Sequence, residues 1–469
     1  MVRLHDLVLI NPWWKYGDEY SIHDADLKRL GEIVISRRII IPAPGRIYVY
    51  RGVRRSGKTV YIKLVIGKLL ELGVEPQRIL YLSCDRLASR RELLNIIRNF
   101  YVENLGAESL YLFLDEVTYL EDWNIVLKNL AETAWAERIA IVATGSNPVT
   151  IRAREERLPG RRVEGNEYYF KPLTFREFIA NVAERIIPDI GGKIAVKVGD
   201  GVSPENTLLR RKILELKPYI EELTHLLNIY LLVGGFPEAI TSYLREGTVP
   251  DKVYEEIIRL ILGDISKLRR SEEVALAILR YILENPGRTD YKTIAAWADI
   301  HHETARDYME VLQDAFIIHV LKCWDLNRKI HHPRKQKKIA FTDPLLYHAV
   351  QKYVYGLTWE EMLDRASKDR DRLVEMAVIS HLAQLEEAPH LKEWWSYLGY
   401  YYDRQREIDA VLKMGDRMLG FEIKYREQIK RKKQPIRTIT ISKNHLDLEA
   451  EVYPAQLFLA SLKKSRRII

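Results

Sequence analysis

Cysteine is scarce: only Cys84 and Cys323 occur in 469 residues. Neither has a second cysteine nearby, which excludes a disulfide scaffold and a cysteine-type zinc site, and a reducing cytosol fits. Long apolar runs are also missing. The most apolar stretch, "LLNIYLLVGG" from Leu226, is too short to span a bilayer. The opening "MVRLHDLVLINPWWKYGDEY" lacks the charge, apolar stretch and cleavage site of a secretory leader. No internal repeat or low-complexity tract is visible. The expectation is a soluble, cytoplasmic protein with no membrane partner.

What is present is ordinary globular material, 47% hydrophobic and 29% charged. A chain of this length predicts two to four domains. The net charge of +8 permits a polyanionic partner without requiring one, because 73 basic residues face 65 acidic ones.

Between Arg46 and Asn147 short apolar strands alternate with helices, which predicts a parallel sheet covered on both faces. After "FKPLTFREFI" the pattern changes to helices, from about Leu208 to Arg270. Three compact helical stretches and an alternating "FIIHVLKCW" follow between Glu273 and Asp325. The last part, from about Tyr347, has helices, a charged hairpin and a further strand at "IRTITISK".

"GVRRSGKT", Gly52 to Thr59, matches G-x-x-x-x-G-K-[ST], and it stands between a strand and a helix as a phosphate loop must. Gly52 and Gly57 let the backbone of Val53, Arg54, Arg55 and Ser56 bend so that its amides face phosphate oxygens. The helix beginning near Lys58 adds its positive N-terminal end. Lys58 is expected to reach the β- and γ-phosphates of ATP, and the Thr59 hydroxyl to ligate Mg²⁺. Arg54 and Arg55 are either additional phosphate contacts or exposed loop residues.

In "LYLFLDEV", Asp115 ends an apolar strand expected to lie beside the phosphate-loop strand, where it can hold the Mg²⁺ water shell. Glu116 can orient or activate the attacking water. "ATGSN" places Thr144 and Ser146 near the γ-phosphate, or else at the cap of the next helix.

The region 271–345 reads as three helices and a wing. The helix "HETARDYMEVLQDAF" is the recognition-helix candidate, exposing Thr304, Arg306 and Asp307. The following "NRKIHHPRKQKK" supplies Arg328, Lys329, Arg334, Lys335, Lys337 and Lys338 for phosphate contact, or forms a solvated loop. DNA is therefore the expected macromolecular partner. His301, His302, His331 and His332 come in adjacent pairs with no third ligand in place, and no metal is assigned to them.

"EIDAVLKMGDRMLGFEIK", Glu407 to Lys424, is a hairpin turning at Gly415–Asp416. Its register places Leu412 opposite Leu419 and Asp409 opposite Glu422, two like charges facing each other. A divalent ion between them would resolve that repulsion, since Mg²⁺ and Mn²⁺ prefer oxygen ligands. Lys424 lies two residues beyond Glu422 on the same face; in the nuclease-like pattern that this hairpin resembles, such a lysine holds the attacking water or the leaving group. The same register also sets Glu407 against Lys424, which makes a salt-bridge reading of that lysine available.

These motifs, with "NPWW", "LPGRR", "FKPLTFREF", "YLLVGGFPEAI" and "KIAFTDP", resemble an archaeal AAA-type P-loop ATPase family with a restriction-endonuclease-like C-terminal domain. The resemblance implies an α/β architecture: an ATPase core of the AAA/ASCE type (1–185), a helical lid (186–270), a winged helix (271–345) and an α/β nuclease-like domain (346–469). It implies a trans-acting arginine at Arg161, with Arg154, Arg157 and Arg162 as neighbours, and through it a homo-oligomer. It also implies the D-x(n)-E-x-K set Asp409, Glu422 and Lys424 for metal-dependent DNA cleavage, with Glu375 of the preceding helix as a further metal ligand. Ile408 stands where a proline is loosely kept in such folds. The alternative is an ATP-driven switch or DNA-binding motor whose nuclease-like domain is an inactive docking module.

Overall fold

The computed structural model describes residues 4–31, 33–145, 166–205, 207–385, 397–426 and 433–469. The chain divides into two compact units: one comprises residues 1–171 with 467–469, the other residues 172–466.

The first unit is built on five parallel strands, β1 (Ile47–Gly52), β2 (Ile79–Ser83), β3 (Leu110–Asp115), β4 (Ile139–Gly145) and β5 (Glu167–Phe170). Their order is β2-β3-β4-β1-β5. β3 and β4 are buried along their whole length, which explains their unbroken apolar runs. Two apolar layers cover the sheet, one around Leu112, Ile97 and Val126, the other around Phe113, Ile62 and Ile66. β5 is a strand that the alternation of the sequence did not mark.

Strand order corrects one expectation. The strand ending in Asp115 does not lie beside β1; β4 separates them, pairing with β1 through Ile47–Ile141 and with β3 through Leu112–Ile141. The "NPWW" segment also acquires a role. β2 is a sheet edge, and Asn11 accepts from the Tyr81 amide (2.7 Å) while donating to the Tyr81 carbonyl (3.1 Å). Trp13 and Trp14 both donate to the Ile79 carbonyl (3.0 and 2.8 Å). Side chains thus satisfy the backbone of an edge strand that would otherwise offer itself for pairing.

The second unit opens with helices, among them Phe175–Ile186, started by a capping box at Thr174 and Glu177. Helix Ile220–Val233 stops at Gly234, whose φ is +68°, and Pro237 begins the next helix. The three motifs "FKPLTF", "YLLVGGFP" and "FTDP" meet here. The Leu173 amide donates to the Gly235 carbonyl (2.8 Å), and buried Asp343 accepts from the Gly235 amide (2.9 Å). A β-carbon on Gly234 would lie 2.0 Å from Asp343 Oδ1, so only glycine fits. Burial pushes Asp343 up to about 7, against the two amides of Gly235 and Leu345 that favour its charge.

A nine-stranded sheet occupies the rest: β6 (Arg288–Thr289), β7 (Ile318–Asp325), β8 (Ile330–His331), β9 (Lys337–Phe341), β10 (Leu398–Tyr402), β11 (Glu407–Met414), β12 (Arg417–Lys424), β13 (Thr438–Ser442) and β14 (Val452–Pro454). The order β14-β13-β12-β11-β10-β7-β9-β6, with β8 on β7, runs without a break across residue 345. The junction is parallel pairing of β7 with β10 through Lys322–Gly399 and Cys323–Tyr400. Trp324 of β7 packs with Ile408 and Val411 of β11 and donates to the Val411 carbonyl (3.2 Å). The strands beside the three helices at 272–314 and the strands of the charged hairpin are therefore one sheet.

Candidate active site

The phosphate loop is bounded by β1 and the helix Lys58–Glu71, whose N-cap Gly57 has a φ of +88°. Gly52 has a second constraint: a β-carbon there would lie 2.0 Å from the Phe170 carbonyl oxygen on β5. The Lys58 ammonium is buried and donates to the carbonyls of Gly52 (3.1 Å) and Val53 (3.0 Å). Ser56 closes the loop by donating to the Val53 carbonyl (2.7 Å), and Arg37 donates to the Ser56 carbonyl (3.1 Å). Arg54 lies against Tyr119, its guanidinium 5.9 Å from the ring centroid, on an exposed surface.

Asp115 is the hub of the site. Its Oδ2 accepts from the hydroxyls of Thr59 (2.7 Å) and Tyr81 (3.0 Å), and its Oδ1 from Thr144 (2.5 Å). The Thr144 oxygen in turn accepts from the Glu116 amide (2.9 Å). Glu116 holds a left-handed backbone, φ +51°, a conformation that costs a non-glycine residue about 1–3 kcal/mol. Burial, then the Asp115 charge, pushes the Tyr81 hydroxyl well above its ordinary range, so it stays a neutral donor. Thus Thr59, Asp115 and Glu116 are brought together although β4 stands between β1 and β3, and Thr144 of β4 itself joins them. Tyr81 and Arg37 had no motif to announce them. Arg161, Arg154, Arg157, Arg162 and Ser146 lie outside the described residues.

A threonine hydroxyl beside a carboxylate, with a lysine in the loop, is a donor set that fits Mg²⁺ and a nucleoside triphosphate.

The hairpin has the register read from its sequence: Leu412 faces Leu419, Ala410 faces Phe421, and the turn is Gly415–Asp416 with Gly415 at φ +58°. Its charged residues have partners that the spacing did not foretell. Asp409 Oδ1 meets Lys338 of β9 (2.8 Å), and Oδ2 accepts from the Ile423 amide (2.8 Å). Lys338 also meets Glu375 (2.5 Å) on helix Arg370–Leu382. Burial alone would lower the Lys338 ammonium, but Glu375 and Asp409 outweigh it and hold it above its ordinary value. Lys424 pairs with Glu422 (2.6 Å), while Glu407 stands 3.9 Å from Arg288. The described residues contain no group of three or more His, Cys, Asp and Glu placed to hold a metal ion. The expected ligands are engaged by lysines of the chain: Asp409 and Glu375 by Lys338, and Glu422 by Lys424.

The basic run is also corrected in part. Lys337 and Lys338 are buried on β9, whereas Arg328 and Arg334 are exposed. Lys337 donates to the carbonyls of Pro333 and Lys335 instead of facing outward. In the helix His302–Asp314, Arg306 and Asp307 are exposed and Thr304 is half-buried, with Arg306 paired to Glu310 (3.0 Å).

The geometry of the first unit defines a P-loop nucleotide-binding domain, and comparison with known proteins gives its kind. Residues 44–179 match the family model described as AAA domain, and residues 224–357 match a domain of unknown function. Among curated proteins the chain is similar to uncharacterized protein MJ1637 of Methanocaldococcus jannaschii, 27% identical over 73% of this chain and 70% of that one. A second relative, an uncharacterized protein of Haemophilus influenzae, is 22% identical over 65% of this chain and 70% of its own length. Among solved structures, a Thermotoga maritima RuvB variant aligns over 72% of this chain and 92% of its own, at 13% identity. Its TM-score is 0.27. The chain carries an AAA-type P-loop ATPase domain.

Proposed function

We propose that the chain is a Mg²⁺-dependent ATPase whose nucleotide cycle acts on a DNA-binding second unit. The observation that carries the first half is the convergence of Thr59, Tyr81 and Thr144 on Asp115 beside the loop holding Lys58. Mg²⁺, when bound, neutralises phosphate charge, and Thr59 with Asp115 would hold it. Lys58 exchanges two neutral carbonyl partners for phosphate oxygens, a charge-assisted and stronger contact. Thr144 links the γ-phosphate position to the Glu116 amide, so that Glu116 is aligned to orient the attacking water. Arg161, or one of its arginine neighbours, completes a neighbouring subunit's site in a homo-oligomer, and the protein works in the cytoplasm.

For the second half, we read residues 271–345 as a winged helix preceded by a helical lid. Exposed Arg306 and half-buried Thr304 near the start of helix His302–Asp314, with exposed Arg328 and Arg334, support contact with the DNA backbone, and Asp307 stands exposed on the same helix. Residues 346–469, read as nuclease-like, serve as a docking module. Phosphodiester cleavage by Asp409, Glu422 and Lys424 is not included, because the hairpin carboxylates are engaged by lysines of the chain itself.

The test is Mg²⁺-dependent ATP turnover of the full chain beside Lys58→Ala and Glu116→Gln. Turnover equal in all three proteins would sink the ATPase assignment. Binding to labelled duplex DNA, measured against salt concentration, tests the rest. Arg306→Ala should weaken it and reduce the log–log salt slope by about 1. A slope near zero in the wild type would remove DNA from the proposal.

A further inference from the structure

We propose that Lys338 is the resident cation of the acidic site on the hairpin, standing between Glu375 and Asp409 where a divalent ion was expected, and that this site works as a metal-free staple. Three elements distant in sequence supply it: β9, helix Arg370–Leu382 and β11. The Lys338 ammonium bonds both carboxylates, at 2.5 and 2.8 Å, and its side chain is only 7% exposed. Its direction is fixed by the sheet, because Lys338 pairs with Leu321 in the antiparallel β7–β9 ladder.

The second oxygen of Asp409 is also engaged, by the amide of Ile423 on β12. That bond lies beyond the last ladder pair, Ala410–Phe421, and continues the hairpin where strand pairing stops. Glu422 is turned to Lys424. A divalent ion needs one or two carboxylates to hold it, with water completing its shell. To collect them here it must displace a buried ammonium from both partners and leave that charge without compensation, which costs several kcal/mol. The arrangement thus joins β9, beside the three-helix region, to the hairpin through charge instead of through a metal.

The experiment is Mn²⁺ titration of the full chain without nucleotide, read by electron paramagnetic resonance, in a Thr59→Ala background that removes the P-loop hydroxyl ligand. The expected result is no Mn²⁺ taken up at sub-millimolar concentration, with Asp409→Asn giving the same curve. Uptake by the Lys338-intact protein that Asp409→Asn abolishes would overturn the proposal. Lys338→Met, close in volume but uncharged, is expected to gain a Mn²⁺ site that Asp409→Asn removes. Lys338→Arg, which keeps a cation, is expected to gain none and to retain the parent melting temperature. Uptake by Lys338→Arg equal to that of Lys338→Met would also overturn it. None of these readouts involves ATP, so failure here and failure of the ATPase assignment are distinguishable.

Discussion

Both units place lysines and carboxylates at one site, and the two sites differ in what the lysines hold. Lys58 bonds two neutral backbone carbonyls, and Asp115 is served by neutral hydroxyls. Lys338 bonds two carboxylates, and Lys424 a third. A hydrogen bond from a charged group to a neutral one is worth roughly 1.5–3 kcal/mol, and a phosphate offers Lys58 stronger charge-assisted bonds in exchange for its two carbonyls. Removing one partner from a buried ion pair costs roughly 3–5 kcal/mol. At the hairpin a ligand would have to displace Lys338 from Glu375 and Asp409, whereas at the phosphate loop it takes the place of backbone carbonyls.

Substitutions can break this contrast. The largest effect is expected from Lys338→Ala, which strands Glu375 and Asp409 and should destabilise the second unit by about 3–5 kcal/mol in denaturant unfolding followed in chelator. If the loss is below about 1 kcal/mol, the staple is not structural and the contrast fails. Lys58→Ala should lower ATP turnover by about 10²–10³-fold with little change in melting temperature, since the bonds it loses to Gly52 and Val53 go to neutral carbonyls. A large drop in stability would place Lys58 in the same class as Lys338. Gly52→Ala, forced against the Phe170 carbonyl, should cost about 1–3 kcal/mol and weaken nucleotide binding with it. The smallest effect belongs to Lys424→Ala: its pair with Glu422 is partly exposed and is worth about 0–1 kcal/mol. A several-fold larger loss would show that the hairpin depends on both lysines.

How much could be read beforehand follows the same division. The phosphate loop was legible because its chemistry is local: eight consecutive residues between a strand and a helix carry the glycines, the lysine and the hydroxyl. The hairpin register was legible because a two-residue turn fixes which residues face each other. Tyr81 was not, because its contact with Asp115 requires β2 to lie parallel to β3, with Ser83 beside Asp115. Lys338 stands in a run of basic residues whose spacing suits a polyanion. Alternation along β9 does not reveal that its neighbours are a helical glutamate and a hairpin aspartate. The motif "FTDP" gave no chemical meaning to Asp343 until Gly235 was found against it.

The sequence by itself determined where the chain bends for a phosphate, which strands are buried on both faces, and which hairpin residues face each other. These depend on backbone geometry within a few residues and on apolar patterning. Only the tertiary structure decided that β4 stands between β1 and β3, that Gly52 is confined by Phe170, and that Asp409 meets a lysine 71 residues earlier in the chain. Strand order and the packing of separate elements set those partners. A charge is neutralised by whatever the fold brings within hydrogen-bond reach, and sequence spacing carries no record of that distance.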